Sequence, residues 1–139
     1  MKRIRLIRPI EDFNRRCAYD IFIGRTKITE LKNGEEKHID IPKDLDAQYL
    51  IAKIQWCKSK PFDIRSLKEN ETTIIRGNKF LNKRLPFLGA LFPILGIVNF
   101  NVGNPLLEKI SVGLLFLLLF YFVGIITIGR DKWLYIKKE

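Results

Sequence analysis

Along residues 2–77, apolar side chains fall at alternate positions in short runs, and each run ends at a turn-forming residue. A period of two is the pattern of strands that bury one face. Residues 2–8 put Ile4 and Leu6 on one side, and Pro9, which has no backbone N–H, ends that ladder. Residues 18–23 alternate Tyr19, Ile21 and Ile23 against Asp20, with Phe22 on the second face. Gly24-Arg25 turns the chain at little steric cost, and residues 27–31 return with Ile28. Asn33-Gly34 is the strongest turn signal, because both residues tolerate positive φ. Residues 36–41 follow with Ile39 and Ile41 on one face, closed by Pro42.

Residues 48–56 read as the longest strand, with Leu50, Ala52, Ile54 and Trp56 on one side and Tyr49, Ile51, Lys53 and Gln55 on the other. Residues 62–67 and 72–76 complete the set across Glu69-Asn70-Glu71. Seven short strands with no helical period predict a mainly β domain over residues 1–77, a small antiparallel β-sandwich or barrel. Its core is expected to rest on Tyr19, Trp56, Phe62 and the isoleucines, since so short a domain buries only a modest core.

The pattern changes at residue 85. Residues 110–128 carry no charge, and 14 of these 19 positions are Ile, Leu, Val or Phe. At ~1.5 Å per residue such a helix reaches roughly 28 Å, about the hydrocarbon thickness of a bilayer. An earlier apolar run, 85–102, is interrupted by Pro86, Gly89, Pro93 and Gly96 and ends near Asn99 and Asn101. Pro93 removes the hydrogen bond to the carbonyl of Gly89, which predicts a kink. Gly89 and Gly96 share nearly one helix face, where with Pro93, Gly113 and Gly124 they are candidates for close helix packing; coincidence in an apolar stretch explains them equally well. The two runs predict a transmembrane helical hairpin over 85–128, preceded by a basic linker, 78–84, and followed by a basic tail, 129–139.

Charge sets the expected orientation. Arg76, Lys79, Lys83 and Arg84 precede the apolar pair and Arg130, Lys132, Lys137 and Lys138 follow it, whereas the loop between offers only Lys109 beside Glu108. The positive-inside rule places both basic flanks, and hence both termini, in the cytoplasm, which requires two crossings of the inner or plasma membrane; a first run that only dips into the bilayer is the competing topology. Trp133 and Tyr135 suit the cytoplasmic interface. Residues 1–8 have a positive start but no apolar core of secretory length, so the β domain is expected to stay inside.

The chain carries a net charge of +10, and residues 1–84 hold 20 Lys and Arg against 12 Asp and Glu. With a membrane segment present, this excess points first to anionic lipid headgroups, with Arg15, Arg16, Lys79, Lys83, Arg84, Arg130 and Lys132 as the candidate contacts. Arg3, Arg5 and Arg8 are further candidates; the alternative is a solvated basic face. Aromatic residues sit mostly at core-facing positions, which argues against nucleic acid.

Reactive chemistry is hard to assemble from these residues. Three serines and one histidine, without G-x-S-x-G or H-E-x-x-H, offer no nucleophile constellation. Glu11-Asp12, Glu35-Glu36 and Asp44/Asp46 fall in predicted turns, where acidic residues are ordinary. Cys17, Cys57 and His38 lack metal-site spacing, and Cys57 reads as a small buried side chain. No cofactor, metal or small-molecule substrate is expected.

The pattern Tyr19-x-Ile21-x-Ile23-Gly24, then Asn33-Gly34-Glu35, Ile39-x-Ile41-Pro42 and Ala52-Lys53-Ile54-x-Trp56-Cys57-x-Ser59 resembles small bacterial membrane-anchored proteins with a PEGA-like β-sandwich. The resemblance covers residues 2–77; where such domains place a Pro-Gly pair before the long strand, this chain has Pro42-Lys43-Asp44-Leu45-Asp46. It implies a binding or scaffolding module and no catalytic residues. The expected role is therefore a non-enzymatic accessory subunit of a membrane complex, bound to lipid and to a protein partner or itself. The alternative is a small oligomeric pore or membrane-perturbing effector.

Overall fold

The computed structural model describes residues 2–42, 48–101 and 103–139, with the side chain of Asn82 excepted. The acidic turn with Asp44 and Asp46, and Val102 at the end of the first apolar run, lie outside the described residues. The chain divides into two compact units: residues 1–78 with 130–139, and residues 79–129.

The first unit holds two sheets. One, in the order β4-β1-β8-β9, is built from β1 (Lys2–Ile7), β4 (Glu36–Ile41), β8 (Thr72–Gly77) and β9 (Leu134–Lys138). The other has the order β3-β2-β5-β6, from β2 (Tyr19–Ile23), β3 (Thr26–Leu31), β5 (Tyr49–Ile54) and β6 (Cys57–Lys58), with the short β7 (Phe62–Asp63) also paired to β5. All pairings are antiparallel except β1 with β8, which is parallel.

Alternation decides which side chains are buried. Ile4 and Leu6 on β1, Tyr19, Ile21 and Ile23 on β2, Ile39 and Ile41 on β4, and Leu50, Ala52 and Ile54 on β5 are all buried. With Leu31, Ile75 and Leu134 they belong to a single hydrophobic cluster drawn from both sheets. Each such Ile or Leu contributes roughly 1.5–3 kcal/mol on burial, an upper figure because denatured chains already hide some surface. Gly24 (φ 60°) and Gly34 (φ 73°) make the two tight turns that the sequence predicts. Across the outer face of β1 and β4, Arg3 pairs with Asp40 at 2.7 Å and Arg5 with Glu36, a cross-strand ladder of opposite charges.

Several expectations are corrected. Trp56 is 63% exposed rather than in the core, because β5 stops at Ile54 and Gln55 turns the chain at φ 51°. Residues 62–67 are not one strand: after β7, Asp63 caps a short 3-10 helix, Ile64–Ser66, by accepting the N–H of Arg65 at 2.8 Å. The sheets are not wholly antiparallel, and among the described residues eight strands rather than seven fall within residues 2–77, with a ninth after α2. The basic tail, residues 129–139, is from Arg130 onward part of the β unit rather than a separate segment, since β9 pairs with β8 from Gly77↔Leu134 to Thr73↔Lys138.

The second unit holds α1 (Lys79–Asn101) and α2 (Pro105–Thr127). Both helices are long and apolar enough to span a membrane. The expected basic linker is therefore helical from Lys79, and α1 continues through Pro86 and Pro93 without ending. Asn104 caps α2, its side chain accepting the N–H of Leu106 at 3.0 Å, with Pro105 in the first turn where a missing N–H costs nothing. The rings of Phe92 and Phe122 lie 5.3 Å apart, and Ser111 Oγ lies 3.0 Å from Asn99 Oδ1. The polar side chains of Asn101 and Thr127 bond back to carbonyls one turn earlier, which satisfies them without water. At Gly89, Gly96, Gly113 and Gly124, a Cβ would meet nothing within 4 Å among the described residues.

Candidate functional site

The first unit concentrates its polar structure where the chain passes into and out of the helices. β8 ends at Gly77 directly opposite Leu134, the first residue of β9. Beyond that pair, Asn78 donates its backbone N–H to the carbonyl of Trp133 at 2.9 Å and its side-chain Nδ2 to that of Lys132 at 3.0 Å. The two strand ends next to the helices are thus clamped side by side.

A buried ionic cluster holds the same end. Arg8 continues the inward parity of Ile4 and Leu6 and is only 1% exposed. Its guanidinium donates to the carbonyls of Cys17 (2.6 Å), Asn14 (2.7 Å) and Leu31 (3.0 Å) and lies over the Tyr19 ring at 3.5 Å. Arg8 Nε is 3.5 Å from Glu11 Oε2, and that same oxygen accepts the Tyr19 hydroxyl at 2.5 Å. The other carboxylate oxygen, Oε1, accepts the backbone N–H of Gly77 at 2.5 Å. Asn33 holds the Glu11 backbone from both sides, accepting its N–H at 2.8 Å and donating to its carbonyl at 3.0 Å. Burial, and then the adjacent Glu11 carboxylate, push the Tyr19 phenol well above its ordinary range. A charged group so enclosed needs these partners, because an unpaired buried charge is costly.

This cluster fixes the loop of residues 10–16. The loop presents Ile10 (82% exposed) and Phe13 together with exposed Arg15 and Arg16. Apolar and cationic side chains thus share one loop, tied by Glu11 to the strand that leads into α1.

A pocket of about 350 Å³ opens nearby, lined by Lys60, Pro61 and Phe62 before and within β7, by Asn78, by Asp131 and Lys132, and by Leu134, Tyr135 and Ile136 of β9. It forms because Ser59 bridges in parallel to Leu134, which brings the β6–β7 connection of one sheet beside β9 of the other. Asp131 lies 3.5 Å from Lys58 and 3.8 Å from Arg130. Lys58 and Arg130 thus face one carboxylate, and Lys60 and Lys132 line the same pocket.

Of the basic residues singled out from sequence, Arg15, Arg16, Arg130 and Lys132 are exposed on the first unit, and Lys79, Lys83 and Arg84 are exposed on the first turns of α1. Arg8 is corrected from a lipid contact to a buried anchor. The sequence did carry its signal, the third inward position after Ile4 and Leu6. Arg3 and Arg5 are engaged by Asp40 and Glu36. Cys57 is buried, Cys17 is half-buried and both are free thiols; burial pushes the Cys57 thiol up. Among the described residues, no three His, Cys, Asp or Glu side chains are placed to hold a metal ion. Comparison with protein-family models, with curated protein sequences and with solved structures gives no match to this chain.

Proposed function

We propose that this chain is a non-enzymatic integral membrane protein: a cytoplasmic β-sandwich module, held on the inner or plasma membrane by a transmembrane helical hairpin, that serves as a binding or scaffold subunit of a membrane complex. The pairing of Gly77 with Leu134 carries the reading. α1 and α2 lie in the sequence between two strands that are direct neighbours in one sheet. An odd number of crossings would put β8 and β9 on opposite faces of the bilayer, where they could not pair. Two crossings return the chain to its starting side, and the basic flanks of the helices make that side the cytoplasm.

The hydrophobic cluster shared by two sheets supports a sandwich, as the PEGA-like pattern of residues 19–59 implies. The exposed Ile10, Phe13, Arg15 and Arg16 would meet anionic headgroups, with Lys79, Lys83, Arg84, Arg130 and Lys132 as further contacts. A binding rather than catalytic role follows from a sequence with three serines, one histidine and no nucleophile or phosphate motif.

The test is purification of the full chain from its native membrane in mild detergent, with the particle's mass and contents read by mass spectrometry. A stoichiometric protein partner is the expected result, and a monomer free of any partner would sink the accessory-subunit reading. A pure homo-oligomer would favour the pore or effector reading. That second reading draws on the open faces at Gly89, Gly96, Gly113 and Gly124, where nothing among the described residues fills the space a side chain would take.

A further inference from the structure

The pocket between the β6–β7 connection and β9 has the chemistry of an amphiphile site. Its walls divide by type. Pro61, Phe62, Leu134 and Ile136 supply apolar surface, whereas Lys60 and Lys132 supply charge. Neither lysine makes an ion pair among the described residues, and the one carboxylate in the lining, Asp131, already faces Lys58 and Arg130. The local balance is therefore cationic, beside an apolar floor. The pocket's place in the chain narrows the occupant. Asn78 immediately precedes α1 and Asp131 follows α2 within a few residues, so two of the lining residues adjoin the membrane-length helices in the chain.

We infer that this pocket seats one anionic phospholipid, its phosphate between Lys60 and Lys132 and its glycerol and upper acyl carbons against Phe62, Leu134 and Ile136. The inference rests on the membrane-anchored reading and adds to it a defined lipid site. Loose attraction of basic residues to a charged surface would need no cavity; a site with walls holds one lipid and keeps it through extraction. About 350 Å³ is too small for a whole lipid and large enough for a headgroup with the first carbons of a chain. An acidic peptide segment is the competing class of occupant, but it makes less use of the apolar floor of Phe62, Leu134 and Ile136 than an acyl chain does.

The test uses the full chain in nanodiscs that contain phosphatidylglycerol and phosphatidylcholine, followed by native mass spectrometry of the released protein. The expected result is one retained phosphatidylglycerol per chain, reduced at least tenfold in a Lys60→Glu/Lys132→Glu variant. An Arg25→Ala/Lys32→Ala variant, altered at exposed positions outside the pocket lining, keeps the bound lipid. Circular dichroism melting of each variant separates loss of the site from loss of the fold; were the first variant unfolded, Lys60→Gln/Lys132→Gln takes its place. Equal retention of the two lipids, retention unchanged in the lysine variant, or release of the lipid by millimolar inorganic phosphate would each overturn the inference. A carbonate wash distinguishes the two levels of failure. Protein that stays in the membrane yet holds no lipid refutes the pocket alone, whereas protein that washes off refutes the anchored reading.

Discussion

The carboxylate of Glu11 accepts the backbone N–H of Gly77 at 2.5 Å, joining a loop near the start of the chain to the strand that leads into α1. The same carboxylate meets the Tyr19 hydroxyl and the Arg8 guanidinium, so one side chain satisfies a backbone donor, a phenol and a buried cation. Glu11→Ala removes all three contacts and leaves Arg8 as an uncompensated buried charge. The expected cost is about 3–5 kcal/mol of domain stability. Denaturant unfolding of the full chain in detergent, followed by near-ultraviolet circular dichroism, measures it. A loss under 1 kcal/mol would mean that the cluster is not the anchor described.

The strand β9 gives a second prediction. Leu134 is buried opposite Gly77, and β9 covers the edge of β8. Leu134→Ala should cost about 2–5 kcal/mol, as for other large-to-small core changes. Deletion of residues 134–139 should make residues 1–78 sensitive to limited proteolysis. A dispensable tail would tolerate both changes.

Trp56 and Leu50 make a contrast within one segment. Leu50 is fully buried and Trp56 stands in the turn after β5. Leu50→Ala should cost about 2–5 kcal/mol, whereas Trp56→Phe should stay within about 0.5 kcal/mol of the parent. Thermal melts of the two variants under one condition decide the matter.

Acid should weaken the domain. Hydrogen bonds from Lys138, and then from the Lys68 N–H, hold Glu71 below the usual carboxylate range; the Arg5 guanidinium does the same for Glu36, and Arg3 for Asp40. For a carboxylate with a depressed folded pKa, the stabilisation is complete above the unfolded value and is lost as pH falls through the folded one. The melting temperature is therefore expected to be flat from pH 7 to about 5 and to decline below about pH 4.5. Lys138→Ala should lower the plateau and flatten part of the decline, because Glu71 then titrates nearer its ordinary value. A decline of unchanged shape would show that this pair contributes nothing.

Topology can be read by thiol labelling. With Cys17 and Cys57 replaced by Ala, a single cysteine at Gly103 should react with a membrane-impermeant maleimide from outside intact spheroplasts. One at Glu139 should react only after lysis. Identical behaviour of the two positions would contradict a double crossing.

Much of the first unit is legible in the sequence because each strand states its own inward face. Ile4/Leu6, Tyr19/Ile21/Ile23, Ile39/Ile41 and Leu50/Ala52/Ile54 all point inward as alternation requires, and the turns at Gly24 and Gly34 follow from local backbone preference. What local pattern cannot supply is partnership. The parallel contact of β1 with β8 and the return of β9 depend on segments far apart in the chain, and nothing near Leu134 announces its partner. The alternation Leu134, Ile136 against Tyr135, Lys137 is present, but a basic segment after an apolar run reads equally as a solvated flank. Trp56 misleads for a different reason: its parity continues that of β5, while the backbone at Gln55 has already turned to positive φ.

Of the candidate site, the exposed basic residues could be named and their grouping could not. Arg15 and Arg16 lie on the loop that Glu11 ties to Gly77. Nothing in the sequence around Lys60 marks it out. It gains meaning from the Ser59–Leu134 bridge, which brings two distant segments to either side of one pocket.

The placement of α1 and α2 between β8 and β9 also imposes an order on biogenesis. A ribosome completes β1 to β8 first, then both helices, and only afterwards the residues that cover the edge of β8. Until then the sheet has an open edge, the kind of surface that invites mispairing with other chains. On the two-crossing reading, β9 cannot reach Gly77 from the far side of a bilayer, so a chain in which only one helix crosses keeps an exposed strand edge that chaperones and proteases can recognise.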